Sequence, residues 1–302
     1  MTNQPLVSVI ITTYNRVDKI SNCIDSVLSQ NYKNLEVIVV DDCSYDNTQE
    51  YFKKNYQNDL KYIRHDFNQG VQNASNTGYR YCNGKYVAFI GDDDIWSDKN
   101  KLVEQVKIFE NDKLKKYGIV TTDIKVITKK KSYIKNIIKP KNLVTHILRT
   151  NGIIYGSAAL LRSDIFKQAG MFAKDLPRGT DSDVFRRIIL LGYDVYFINK
   201  NMVDYYFNDN EQMTSFNEKG INRAIASHNY KLKTYNEILK SYPIIRSSIL
   251  SQLGHMYIFR YNINRNIIAK YLAKKYLKKS LLLNPFNIRS WFFLIKLYLR
   301  AK

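Results

Sequence analysis

The sequence predicts an α/β fold: a mostly parallel sheet with flanking helices, followed by an all-helical C-terminal region. Three observations carry this expectation. Apolar, β-branched runs alternate with stripes of helical period through the first part of the chain; three of those runs break into polar turns rich in carboxylates and hydroxyls; and from about Asn217 onward strand signals vanish. The expected boundaries are therefore residues 1–217 for the sheet-bearing domain and 218–302 for the helical region.

The first run, Leu6 to Thr13, ends in Tyr14-Asn15-Arg16 and reads as a strand with a polar turn. Ile20, Cys23, Ile24, Val27 and Leu28 then fall at i, i+3, i+4, i+7 and i+8, one apolar stripe on a covering helix. Leu35 to Val40 is a second buried strand closing on Asp41-Asp42-Cys43-Ser44. Such a β-α-β start implies parallel strands with right-handed crossovers. Ser44 or Asp46 is suited to cap a helix from Thr48 to about Tyr56. A short strand at Lys61 to Arg64 and a helix from about Val71 to Cys82 precede the run Tyr86 to Gly91, which opens directly into Asp92-Asp93-Asp94.

After Trp96, the positions of Leu102, Val103, Val106 and Phe109 mark another helix, and Ile119 to Ile127 a strand. The basic segment Lys129 to Lys141 is expected to be a mobile excursion, Ile153 to Arg162 a strand, and Met171 to Arg178 a loop. That loop delivers Thr180-Asp181-Ser182-Asp183 to a helix ended by Gly192. Four helices are plausible in the remainder, with Pro243 and Pro285 at first-turn positions.

Composition excludes several classes. With 302 residues and 45% hydrophobic content the chain fills a core, and disorder is not expected. Cys23, Cys43 and Cys82 are an odd set without metal-site spacing, which points to a reducing compartment. The polar start shows no signal peptide, and Trp291 to Ile295 is far shorter than a spanning helix, so a cytoplasmic protein is expected, soluble or peripheral. The net charge is +20, and residues 220–302 carry 16 Lys or Arg against the single acid Glu237. A basic, apolar tail of this kind suits an anionic membrane surface, although antiparallel helices packed as a short repeat give the same pattern.

Three adjacent acids at the end of a buried strand repel one another, and a cation offsets that repulsion when they share a site. Hard oxygen ligands suit Mg2+ or Mn2+ better than Zn2+. The plainer reading of an Asp-rich turn is a solvated loop or helix cap. None of His65, His146, His228 and His255 sits in a ligand cluster, and each is taken as surface or core.

In order and spacing, the turns at Thr12 to Arg16, Asp41 to Thr48 and Gly91 to Trp96 resemble those of the inverting glycosyltransferases of family two, whose Rossmann-like nucleotide-binding fold is called GT-A. The resemblance covers roughly residues 5–215. It implies that Thr13 and Tyr14 line the nucleoside pocket and that Asp41 or Asp42 accepts a hydrogen bond from the base, typically uracil. Asp92 and Asp93 are implied on the ribose and pyrophosphate side, with Asp94 as ligand of a divalent metal, Mn2+ or Mg2+. Asp181 matches the catalytic base, and Asp183 is then structural or capping; complementing the helix N-terminus is the plainer role for both. The donor would be a nucleotide-sugar, most simply a UDP-sugar, and the acceptor a saccharide or lipid-linked glycan.

The chain departs from the family pattern at four points. Thr180 stands where many members have Glu, Gly91 where they have Asp, Ser75-Asn76 where an Arg-Asn pair is usual, and Asn208 where a His often helps hold metal or phosphate. With Ser75 in place of Arg, a contact to base or phosphate is either lost or supplied by Arg16 or Arg80, while Asn76 keeps its place among the expected nucleotide-binding residues. A nucleotidyltransferase would carry a Gly-rich phosphate loop after the first strand, and Thr13 to Arg16 is not one. A nucleic-acid-binding module would use the cationic tail but leaves the acids at three strand ends without a role, so no nucleic acid partner is expected.

Overall fold

The computed structural model describes residues 4–56, 59–150, 152–207 and 217–299. In chain order the elements are β1 (Val7–Thr13), α1 (Val17–Leu28), β2 (Leu35–Asp41), α2 (Thr48–Asn55), β3 (Lys61–Arg64), α3 (Val71–Arg80), β4 (Tyr86–Gly91) and α4 (Lys101–Asn111). Then follow β5 (Tyr117–Ile127), β6 (Ser132–Lys135), α5 (Leu143–Arg149), a 3-10 turn at Gly156–Ala158, β7 (Leu160–Arg162), α6 (Ser163–Gln168), α7 (Thr180–Leu190) and β8 (Asp194–Tyr206). The helices α8 (Glu218–Thr234), α9 (Asn236–Lys240), α10 (Pro243–Asn264), α11 (Ile267–Leu283) and α12 (Ile288–Leu299) follow these.

One eight-stranded sheet runs β3-β2-β1-β4-β7-β5-β6, with β8 paired to β5. The β1–β2, β2–β3, β1–β4 and β5–β8 pairs are parallel, whereas β7 is antiparallel to β4 and β5, and β6 to β5. In the register Thr13 faces Asp41 and Thr12 faces Gly91, so the ends of β1, β2 and β4 are flush. The chain order reverses at β1, and a sheet of this kind binds ligands beyond the carboxyl ends of its strands at such a point.

The apolar stripe read on α1 is buried at Ile20, Cys23, Ile24 and Val27, packed with Val7, Val9, Ile11, Ala88 and Ile90 of the sheet, while Leu28 points outward. Across the sheet, α3 lies so close that a Cβ at Gly78 would sit 2.6 Å from Ile10 Cγ2. A glycine there permits the close helix–sheet approach.

The chain divides into two units, Met1–Ile147 with Asn151–Lys174 and Thr180–Phe207, and Leu148–Thr150 with Asp175–Gly179 and Asn208–Lys302. The second has its own core around Ile225, Leu253, Tyr257, Ala273, Leu277 and Leu294. Gly254 lets α10 and α11 approach, since a Cβ there would meet Leu277 Cγ at 2.8 Å.

Several local expectations are corrected. Part of Lys129 to Lys141 is not an excursion but β6, an edge strand on β5. Most of Ile153 to Arg162 is a 3-10 turn and its flanks, and only Leu160–Arg162 is strand. The helices α5 and α6 and the long strand β8 lie outside the sequence expectation, and the helical region holds five helices among the described residues rather than four. Pro243 does open α10, but Pro285 lies in the turn between α11 and α12.

Candidate active site

The turn after β1 begins the site. Thr13 Oγ1 donates to Asp92 Oδ2 at 2.8 Å, and Arg16 reaches Asp92 Oδ1 and Asp93 Oδ2, both at 2.9 Å, with one guanidinium nitrogen. Asn15, at φ 52°, accepts from Tyr45 N at its Oδ1 while its backbone N–H donates to Ser44 Oγ. The left-handed conformation, tolerated by Asn, ties the β1 and β2 turns together. Tyr14 and Tyr45 stand exposed at this rim, edge to face with ring centroids 6.3 Å apart.

Asp41 and Asp42 are both buried and both held from inside the chain. Asp41 accepts from Ser44 N, Ser44 Oγ and Tyr62 OH, at 2.9, 2.6 and 2.6 Å. Asp42 accepts from His65 Nδ1 and from the amides of Gln69 and Gly70, at 2.8, 2.8 and 2.7 Å. Ser44 thus serves Asp41, and the N-cap of α2 is Asn47 rather than Ser44 or Asp46, although Asp46 accepts from Thr48 N where the helix begins. Asn76 does not reach the rim: its amide pairs both ways with the backbone of Phe172 and is buried.

The acids after β4 are fixed by β8 and the 3-10 turn. Ile95 and Asp204 exchange backbone hydrogen bonds, and Asp94 accepts from Tyr206 N at 3.2 Å and from Ser157 Oγ. Ser157 is held in turn by Trp96, whose Nε1 donates to its carbonyl at 2.8 Å. Beneath Trp96, Lys101 is fully buried with Nζ 3.9 Å from the indole centroid and 3.0 Å from Gln105 Oε1. Burial forces its pKa well below the usual lysine range.

Asp181, in the first turn of α7, comes to the same place. A cavity of about 200 Å3 is lined by Asp181, Thr180, Ser157, Gly156, Gly91 and Ser75, among others. Gly156 leaves room there, a Cβ on it being 3.7 Å from Asp181 Oδ2. Asp183 instead turns away to the guanidinium groups of Arg187 and Arg186, at 2.9 and 3.4 Å.

Burial raises the carboxyl pKa of Asp181, against hydrogen bonds from Ser182 and the charge of Arg186. Asp94 is pushed up to about 8, by burial first and then by the charge of Asp93. Asp92 is also raised by burial, against the pull of Arg16. The Tyr205 phenol is driven upward by burial first and then by the charges of Asp94, Asp181 and Asp93.

Residues 8–170 match the sequence pattern described as glycosyl transferase family 2. This chain belongs to glycosyl transferase family 2. An uncharacterized glycosyltransferase of Rickettsia bellii (strain RML369-C) is 28% identical to it over 264 residues, 84% of this chain but 36% of that protein. The chain therefore spans about a third of that relative's length. UDP-Glc:alpha-D-GlcNAc-diphosphoundecaprenol beta-1,3-glucosyltransferase WfaP of Escherichia coli is 36% identical over 109 residues, 36% of this chain and 43% of that protein. Among solved structures, S. aureus TarS 1-349 in complex with UDP-GlcNAc superposes with a TM-score of 0.62 at 16% identity, over 98% of this chain and 92% of that one. Mannosyltransferase PcManGT from Pyrobaculum calidifontis, in complex with GDP-Man and Mn2+, gives 0.61 at 18% identity, over 99% and 86%. The family 2 chain shares their fold, which is of the GT-A type.

Among the described residues no group of three His, Cys, Asp or Glu side chains is placed to hold a metal ion, and Asn208 lies outside those residues. A closed protein cage does not fit. A Mg2+ or Mn2+ ion shared with substrate phosphates needs only one or two carboxylates, and Asp94, its pKa raised by burial and then by the charge of Asp93, fits that part. Sequence reasoning missed Tyr45, Tyr205 and the holding roles of Trp96 and Lys101. Tyr205 belongs to a strand with no clear sequence signal, and Tyr45 is one of 24 tyrosines with no spacing to mark it.

Proposed function

We infer that this chain is an inverting glycosyltransferase that moves a sugar from a UDP-sugar to a saccharide or lipid-linked glycan acceptor in one displacement. The observation that carries the reading is the cluster of Thr13, Arg16, Asp92 and Asp93 at the ends of β1 and β4, with Asp94 joined through Ser157 to the cavity that Asp181 also lines. The name of WfaP, a transferase from UDP-Glc to a diphosphoundecaprenol-linked GlcNAc, supports a UDP-sugar and a lipid-linked glycan as the first substrates to try.

In this mechanism the Tyr14–Tyr45 pair offers ring faces and edges to the base, and Arg16 trades a carboxylate for a diphosphate oxygen when the donor binds. Asp41 and Asp42 shape the base pocket through the turns they hold, with Asp42 nearest the loop at Gln69 and Gly70. Asp94 would hold the divalent ion, which when bound supplies positive charge against the departing diphosphate. Asp181 takes the proton of the acceptor hydroxyl as that oxygen bonds to the anomeric carbon; the bond to the nucleoside diphosphate breaks on the opposite face, inverting the centre. A raised carboxyl pKa makes Asp181 a better base than an exposed one. A membrane-borne acceptor places the reaction at the cytoplasmic face of a membrane, for which the cation-rich helical unit is suited.

The test is a donor screen in which sugar nucleotides are incubated with enzyme, Mn2+ or Mg2+ and acceptor, and released nucleotide is scored. Turnover with a UDP-sugar that Asp94→Ala and Asp181→Ala both abolish supports the reading. Turnover indifferent to both substitutions overturns it.

A further inference from the structure

We propose that the outer face of α12, with the turn that precedes it, is a docking surface for an anionic lipid bilayer. The helix is apolar on two sides. Ser290, Leu294 and Leu297 are buried within the helical unit, while Ile288, Trp291, Phe292, Ile295 and Leu299 recur at helical spacing on the opposite side and stay exposed, Ile288 at 81% and Leu299 at 74%. Phe286, in the turn, is 88% exposed. Packing within the unit accounts for one stripe and leaves the other uncovered among the described residues.

Charge identifies what covers it. No Asp or Glu follows Glu237, whereas Lys270, Lys274, Lys275, Lys278 and Lys279 line α11, and Arg289 and Lys296 flank the stripe on α12 itself. Lys274 lies 4.3 Å from the Tyr298 ring centroid and Lys296 5.7 Å from that of Phe292, so the cations border the apolar side chains. Aliphatic and aromatic groups at the acyl boundary with Lys and Arg at headgroup level are the chemistry of an interfacial helix. A polynucleotide would meet the cations but leave Ile288, Ile295 and Leu299 uncovered. The inference deepens the proposed reaction by bringing the enzyme to the surface where a lipid-linked acceptor resides; binding itself does not depend on that reaction.

The chain has two tryptophans, and Trp96 is buried, so Trp291 is a reporter within the stripe. The experiment is flotation with vesicles of phosphatidylcholine alone or mixed with phosphatidylglycerol, the acyl chains brominated to quench an inserted indole. The result expected is retention and quenching with phosphatidylglycerol, weakened by salt, with Phe292→Ser/Ile295→Ser lowering vesicle affinity at least about tenfold. Lys278→Glu/Lys279→Glu, exposed on α11, lowers it without disturbing the packed side of α12. Circular dichroism checks that both variants keep their helices, and nucleotide release from a UDP-sugar is followed in the same samples, so loss of docking and loss of turnover are read separately. No retention by either vesicle, retention unchanged in both variants, or a self-association abolished by Phe292→Ser/Ile295→Ser overturns the proposal.

Discussion

Ser157 Oγ donates to Asp94 Oδ2 while the Ser157 carbonyl accepts from Trp96 Nε1, so the acid at the centre of the site is held by a residue distant in sequence. The consequence concerns protonation. Folding moves the Asp94 carboxyl from its ordinary 3.8 to about 8. Between those values the folded chain binds more protons than the unfolded one, so stability falls as pH rises through this window and levels off above it. Without added metal, thermal unfolding should therefore show a decline from pH 5 to about pH 8, on the order of a few kcal/mol, that Asp94→Asn reduces. Asp181 gives a second expectation at this scale. Asp181→Asn should lower transfer by about 10²–10⁴-fold with donor binding retained, and the rising limb of the wild-type pH–rate profile should lie above the ordinary carboxylate range. A rising limb at ordinary carboxylate pH would remove Asp181 from the role of base. These acids were legible in the sequence because each ends a run or opens a helix. Tyr205 was not, because it sits in a segment whose local pattern says nothing about where tertiary structure delivers it.

At the scale of elements, the strands with continuous apolar runs and the helices with a single stripe were readable, since burial on both faces or on one leaves a periodic mark. What escaped is instructive. The edge strand β6 reads as an excursion because three of its four residues are exposed and Ser132 and Lys135 are polar, the usual chemistry of a protected edge. The long strand β8 mixes half-buried Tyr and Asn with Lys200, and its register against β5 shifts three times, which breaks any alternation. Close packing between elements is also silent in sequence. Ala is the better helix former, yet Gly78→Ala should destabilise the protein by about 1–3 kcal/mol, because the added methyl meets Ile10 at 2.6 Å. Chemical denaturation that finds Gly78→Ala neutral or stabilising would show that α3 shifts off the sheet at little cost.

On the scale of the whole molecule, the cation excess at one end of the sequence marked a distinct helical region, and the second unit collects those helices together with the short segments Leu148–Thr150 and Asp175–Gly179, which no composition shift announces. The two units should respond to pH in opposite directions. In the helical unit His255 stacks on Phe293 with centroids 3.8 Å apart and faces Arg289 at 3.2 Å. Burial, then the charges of Arg289 and Lys296, lower its pKa from 6.5 to about 4. Between these values the unfolded chain binds the extra proton, so the helical unit loses stability as pH falls from 6.5 toward 4 and is unaffected above that window. The sheet unit, in which burial raises Asp94, Asp92 and Asp181 together, moves the other way, Asp94 between its ordinary 3.8 and about 8. Hydrogen exchange of peptides from the two units, corrected for the intrinsic pH dependence, should show α10 and α12 opening more readily at about pH 4.5 than at about pH 7.5. Over the same range β4 and β8 should become better protected at the lower pH, and His255→Gln should weaken only the first trend, the remainder falling to His228, whose pKa burial also lowers. A common pH dependence in both units would mean that they unfold as one cooperative body, with the net charge of +20 setting the response instead of these side chains.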